Sequence, residues 1–143
     1  MSATAAQIAQ VRRYVNESDD TTYDDDAIAS YIEAYPVVDE RGEDPYSWDT
    51  STQPPTEDAN EDWVSTYDLH AAAADIWEEK AAVVAQDFNF AADGGNYSRS
   101  LVFEQYMKLA RFHRARRKPT THKIHKYPAE KSGIQTLLTE MGS

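Results

Sequence analysis

The chain has no cysteine among its 143 residues, which excludes disulfides, thiolate metal sites and a cysteine nucleophile. That composition fits an intracellular or virion setting better than a small secreted scaffold. Basic side chains are scarce in the first 103 residues, where 5 stand against 22 acidic ones, a balance of −17. No run approaches the ~18 apolar residues of a membrane span, so no membrane partner is expected. The opening stretch MSATAAQIAQVRRYV lacks a continuous apolar segment behind a basic start, and no signal peptide is expected.

What is present is one domain's length with a division of charge. Residues 104–143 carry 9 basic and 3 acidic side chains, a balance of +6. An acidic body repels nucleic acid at long range, whereas a basic end seeks an acidic partner, a phosphate backbone or the body of another copy.

Helical spacing dominates the pattern. Residues 4–16 predict a short helix with Ile8, Val11 and Val15 on one face, opened by Ser2 or Thr4. Residues 22–35 predict a second, capped by Thr22, with Asp24, Asp25 and Asp26 at its positive end and Ile28, Tyr31, Ile32 and Tyr35 as its stripe. In DLHAAAADIWEEKAAVVAQDF, Leu69, Ala73, Trp77, Ala81, Val84 and Phe88 recur at intervals of three and four, widened by Ile76 and Val83, with Thr66 or Asp68 as N-cap. Asp93-Gly94-Gly95-Asn96 supplies a reversal. A fourth helix, capped by Ser98 or Ser100 and ended by Pro119, is predicted to bury Val102, Phe103, Tyr106, Met107, Leu109, Ala110 and His113. The core is expected around Ile28, Ile32, Leu69, Ile76, Trp77, Val84, Phe103, Tyr106 and Met107. The fold class is therefore all-α: a small bundle of about four helices with a long acidic loop and an extended C-terminal arm.

That loop, residues 37–65, holds three prolines, nine acidic residues, Trp48 and Trp63, without helical or strand period. Loops of this length are usually functional. Trp63 is expected to pack on the start of the alanine-rich helix. Tyr46 and Trp48, followed by Asp49, are expected to anchor the loop on the body or on a neighbour. Residues 119–143 form the arm, beyond a body of residues 1–118. Its piece THKIHKYP alternates enough to add as a strand to a sheet edge.

Chemistry is sparse. The acids from Asp19 to Asp26 lack the alternation, glycine and distal glutamate of a calcium loop and serve a helix start. His70, His113, His122 and His125 make no HExxH spacing, and the Gly-Gly turn is no phosphate loop. Ser98 and Ser100 have no histidine placed to activate them. No catalytic residue, metal or cofactor is expected. Arg111, Arg114, Arg116, Arg117, Lys118, Lys123 and Lys126 can neutralise phosphates, with Phe112 and Tyr127 as stacking faces. A nucleic-acid-associated protein binding through residues 111–131 is therefore the alternative reading, opposed by the 22 carboxylates of residues 1–103.

The order of a short helix, TTYDDDAIASYIEAYP, then YDLHAAAADIWEEKAAVVAQDFNFAADGGNYSRSLVFEQYMKLARFHRARR resembles the head-to-tail adaptor (head-completion, connector) proteins of long-tailed bacteriophages. The resemblance covers roughly residues 5–36 and 66–118. It implies a structural virion protein of the neck, made in the host cytoplasm, whose copies form a ring, typically dodecameric, under the portal protein. Such a ring extends the DNA channel, lets DNA pass without specific binding, and meets a stopper or tail-completion protein, which implies an inter-subunit or tail-facing role for the loop residues Tyr46, Trp48 and Asp49. In the family the C-terminal segment reaches the portal, which implies that role here for Arg114, Arg116, Arg117, Lys118, Lys123, Ile124, His125, Lys126, Tyr127, Ile134, Leu137 and Leu138.

Overall fold

A computed structural model describes residues 2–87 and 95–118. They form four helices and one small hairpin: α1 (Ala5–Val15), α2 (Asp25–Glu33), β1 (Tyr46–Asp49), β2 (Thr56–Ala59), α3 (Leu69–Asp87) and α4 (Gly95–Arg114). The class is mostly helical, with a two-stranded antiparallel sheet added.

Thr4 opens α1 with a reciprocal capping box. Gln7 N donates to Thr4 Oγ1 at 3.2 Å, and Thr4 N donates to Gln7 Oε1 at 2.8 Å, so two first-turn donors are satisfied together. Asn16 closes the helix in the left-handed region at φ 56°, which its short polar side chain tolerates. The cap of α2 is Asp24 rather than Thr22. Its carboxylate accepts from Ala27 N at 2.7 Å, and Asp25 and Asp26 then occupy the first turn, where the dipole favours them. Arg12 fastens this start, reaching Asp25 at 2.6 Å and Asp20 at 2.7 Å.

The centre of the body is the N-terminal half of α3. Ala71, Ala72, Ala73, Ala74 and Ile76 have no exposed surface. Four consecutive residues sweep about 300° of a helix, so these turns are covered on all sides, by α1, α2 and α4. Alanine lets the neighbours approach, while the bulk of the core comes from Val11, Val15, Ile28, Ile32, Ile76 and Trp77. Trp77 also donates from Nε1 to the Tyr14 carbonyl at 3.1 Å and meets Tyr106 at 5.2 Å between ring centroids, joining α1, α3 and α4. Lys80 donates to the Val15 carbonyl at 2.8 Å and pairs with Glu17. A cation thus sits at the negative end of α1.

Several expectations are corrected. Val83, Val102 and Leu109 are exposed because α4 packs chiefly on α3 and both helices keep an open side beyond that seam. Leu69, Val84, Phe103, Tyr106 and Met107 are half-buried rather than central. Ser98 and Ser100 lie inside α4, since Gly95 and Asn96 open the helix instead of turning; glycine's helix penalty belongs to interior positions. The helix stops at Arg114, before Pro119. Phe88 to Gly94, and the arm from Pro119 onward, lie outside the described residues.

The segment 37–65 is not structureless. Its base is stitched by Val37 N to the Thr66 carbonyl and Asp68 N to the Tyr35 carbonyl, both 2.9 Å. Inside it, Asp39 accepts from the backbone of Arg41, Glu43 and Val64 at 2.8, 3.0 and 3.1 Å. Gly42, at φ +86°, completes the turn with its N–H donating to the Asp39 carbonyl at 3.0 Å. Burial alone pushes the Asp39 carboxyl up, yet these N–H groups and Arg41 hold it at about 2. Trp63 packs edge-on against Tyr67, centroids 5.6 Å apart, and donates to the Val37 carbonyl at 2.9 Å.

The two sides of α3 give a direct check on this packing. Ile76→Ala is expected to lower the unfolding free energy by about 2–5 kcal/mol, whereas Val83→Ala is expected to change it by no more than about 0.5 kcal/mol. Urea denaturation of the two variants measures both. Equal losses would mean that the helix is rotated from the position described.

Candidate interaction surfaces

The described body carries three surface features beyond its core: the exit of the chain at the end of α4, the outer face of α4, and the hairpin.

Asp68 builds the exit. Its Oδ1 accepts from Ala71 N at 3.1 Å, capping α3, and its Oδ2 accepts from Lys118 N at 3.0 Å. Arg117 Nε lies 3.7 Å from the same oxygen, with its guanidinium 5.0 Å from the centre of the Tyr35 ring. One buried carboxylate therefore starts one helix and holds the chain that leaves another. Arg114 strengthens the seam, binding Glu78 at 2.6 and 2.8 Å and Asp75 at 3.1 Å. These hydrogen bonds to Glu78, with the attraction of both carboxylates, raise Arg114 further above its ordinary value. Arg114 in turn holds Glu78 below the usual carboxylate range. Asp75 also receives the Tyr35 hydroxyl.

Of the residues expected to contact a portal or neighbour, Arg114 and Arg117 are thus engaged within the body. Arg116 lies over the Phe112 ring, 3.6 Å from its centroid, and Lys118 is exposed. Lys123, Ile124, His125, Lys126, Tyr127, Ile134, Leu137 and Leu138 lie outside the described residues. Tyr46 and Trp48 are exposed, so they do not anchor the segment on the body. Asp49 is half-buried and turns inward to its own loop, accepting from Ser51 N at 2.8 Å.

Sequence spacing did not reveal a histidine pair beside the exit. His70 and His113, 43 positions apart, bring their Nδ1 atoms to 3.0 Å. Tyr14 stacks on His70 at 4.7 Å, and His113 lies 5.2 Å from His70. Only one proton fits between two facing nitrogens, so the pair is bonded when one Nδ1 is bare and repelled when both carry protons. Burial, then the neighbouring His70 and Arg116, push His113 below its ordinary value, against the Tyr14 carbonyl that favours protonation. Among the described residues no group of three or more His, Asp or Glu is placed to hold a metal ion. No described helix is long and apolar enough to cross a membrane.

The outer face of α4 is apolar as well as the inner one. Leu101, Leu109 and Phe112 recur with Gln105 at intervals of four, four and three, and Val102 adjoins them; all four apolar residues are exposed. Lys108 and Arg111 lie along the same helix, and Arg116 follows in the turn just beyond its end. On the hairpin, Trp48 faces Glu57 and Tyr46 faces Ala59 in register. Cross-strand partners share a face, so both aromatics lie on one side.

Two measurements test the exit and the histidines. Asp68→Ala removes a cap and both tethers, and is expected to lower the unfolding free energy by about 1–3 kcal/mol while the Lys118 amide loses hydrogen-exchange protection. For His113 the folded value is depressed, so the unfolded chain binds protons first as pH falls. The stability it supports is complete above about 6.5 and declines below it. Urea unfolding at about pH 7.5 and about pH 5.5 should show that loss, and His113→Gln should reduce it. An equal loss in the variant would assign the pH dependence to other groups.

Comparison of the chain with protein-family models, with curated proteins and with solved structures finds no match in any of the three, so function rests on these surfaces and on the sequence pattern.

Proposed function

We propose that the protein is a structural component of a virion neck, an adaptor whose copies form a ring under the portal, extend the DNA channel and join head to tail, with no catalytic step of its own. The observation that carries the reading is the fastening at Asp68. A body that fixes the departure point of a basic C-terminal segment, through Lys118 N at 3.0 Å and Arg117 at 3.7 Å, is suited to presenting that segment as an attachment arm. The charge division supports it further. A ring of acidic bodies lets a polyanion slide past without sticking, while the basic arm suits an acidic portal rim.

Engagement of Arg114 and Arg117 within the body weakens the alternative, in which residues 111–131 bind nucleic acid. It removes two of the free cations such a site would use, and Arg116 covers one face of Phe112. The stopper or tail-completion protein would meet the far side of the ring, and exposed carboxylates would line the bore.

Electron microscopy of assembled portal mixed with the protein tests the reading. The full chain is expected to give coaxial rings on the portal, and a chain ending at Lys118 to stay folded by circular dichroism yet fail to attach. Reversing Lys123 and Lys126 to Glu in the full chain is expected to weaken attachment. Indifference to portal, combined with tight duplex binding that falls steeply with salt, would overturn the proposal in favour of the nucleic-acid reading.

A further inference from the structure

We propose that the hairpin of one copy docks on the outer face of α4 in the next, so that the chain associates head to tail through two different patches. This deepens the functional reading above and rests on it only for the premise that copies assemble; the choice of surfaces comes from the patches themselves.

The fold does not account for the outer face of α4. Its inner line, Phe103, Tyr106, Ala110 and His113, already meets the rest of the body. Leu101 and Phe112 are nevertheless each 48% exposed, with Val102 and Leu109 beside them. Contiguous large apolar side chains on an outward helix face mark an interaction surface rather than a solvated one. Its flank is net cationic: Lys108 and Arg111, with Arg116 just past the helix end, are exposed and make no ion pair among the described residues, against the single carboxylate Glu104.

The hairpin has the complementary character. Trp48 is 46% exposed and Tyr46 38%, on a sheet of two four-residue strands, a size that is marginal alone in water. Around them Glu57, Asp58 and Glu61 are exposed and likewise have no cationic partner among the described residues. Tryptophan, tyrosine and arginine are the residue types that dominate interface energetics. Each patch therefore has anchors and a surplus of one charge.

Charge decides the geometry. Pairing α4 with α4 in a two-fold dimer would set the cations of both copies against each other, and hairpin on hairpin would do the same with carboxylates. Like-charge juxtaposition suppresses both arrangements. Hairpin on α4 satisfies charge and apolar surface together. Within one chain the two patches are not packed on each other, so a second copy supplies the partner. A contact between unlike patches leaves one of each free at the ends of every open assembly, and it closes only as a ring or continues as a filament.

The cysteine-free chain gives a clean test. Glu57→Cys and Gln105→Cys place single thiols in the two patches at exposed positions. When the full-length variants are mixed under oxidising conditions, a disulfide-linked pair containing one of each is expected, and neither variant alone should dimerise efficiently. Trp48→Ala in the first partner should reduce the yield roughly tenfold or more. Lys108→Glu with Arg111→Glu should abolish the mixed product, and Glu57→Lys with Glu61→Lys in the opposing copy, carrying its thiol at Ala59 on the aromatic side of the hairpin, should restore it. Self-dimers of the single variants at the same yield as the mixture would overturn the proposal in favour of two-fold pairing. A mixed product that appears only after residues 119–143 are removed would overturn it for the full chain, assigning the α4 face to the chain's own arm. No product at the highest soluble concentration, either alone or on portal, would also overturn it. Attachment to portal without the cross-link refutes this contact and leaves the neck reading standing; the cross-link without portal attachment does the reverse.

Discussion

Water is excluded from the first turns of α3 on every side, and the remaining helices are arranged by that exclusion. Ala71 to Ala74 are fully buried, and a helix whose whole circumference is apolar must be surrounded. Methyl groups let the neighbours come close but fill little volume, so the bulk is delivered from outside by Val11 and Val15 of α1 and by Ile28 and Ile32 of α2. Further along α3, Ile76 and Trp77 supply it from the central helix itself. Beyond Ala81 the cover is one-sided, which leaves Val84 and Ala85 half-buried and Val83 and Gln86 in solvent. The central helix is thus buried at one end and half-exposed at the other.

The buried end creates a polar problem that the chain answers with few residues. The first-turn N–H groups of α3 lie where water cannot serve them, and an unpaired buried donor costs about 1–3 kcal/mol. Asp68 serves Ala71 and at the same time binds Lys118 N, so capping one helix and fixing the exit from another are a single act. Asp75 and Glu78, one and two turns on, are placed to receive Arg114. The step in charge along the sequence near Glu104 therefore has two components in space. Part of the cationic run neutralises carboxylates of α3, and Lys108, Arg111, Arg116 and Lys118 of that run make no ion pair among the described residues.

Much of the helical body was legible in the sequence because burial there follows helical spacing. Val11 and Val15, Ile28 and Ile32, and Ile76 and Trp77 all emerge from intervals of three and four, and all are buried. Thr4 was one of two candidate caps for α1, and Asp68 one of two for α3. The hairpin was not legible. YSWD alternates aromatic with polar residues over only four positions, TEDA has no apolar period, and neither strand is buried; their pairing is produced by backbone hydrogen bonds between segments held near each other by Asp39 and Asn60. Those are distant contacts, invisible in a local window. The same limit hid the histidine pair, since positions 70 and 113 meet only when α3 and α4 run side by side. Val102 and Leu109 were misplaced for a different reason: α4 carries two apolar lines, and spacing alone cannot say which one faces α3.

That ambiguity is informative. A surface helix of a self-sufficient domain carries one apolar stripe, and the second line on α4 is the surface that the proposed contact between copies would cover. The hairpin leads to the same conclusion from the other side. It is held at its base by Asn60, which donates to the Asp44 carbonyl at 2.9 Å and receives Asp62 N at 3.0 Å, so its position is specified although its aromatic face is uncovered. Fixing a segment while leaving its tryptophan and tyrosine in water costs conformational entropy without the return that burial gives. Burial on the proposed assembly would supply that return. The chemistry of the two uncovered surfaces, one acidic and aromatic and the other basic and aliphatic, then makes copies of the same chain sufficient to cover both.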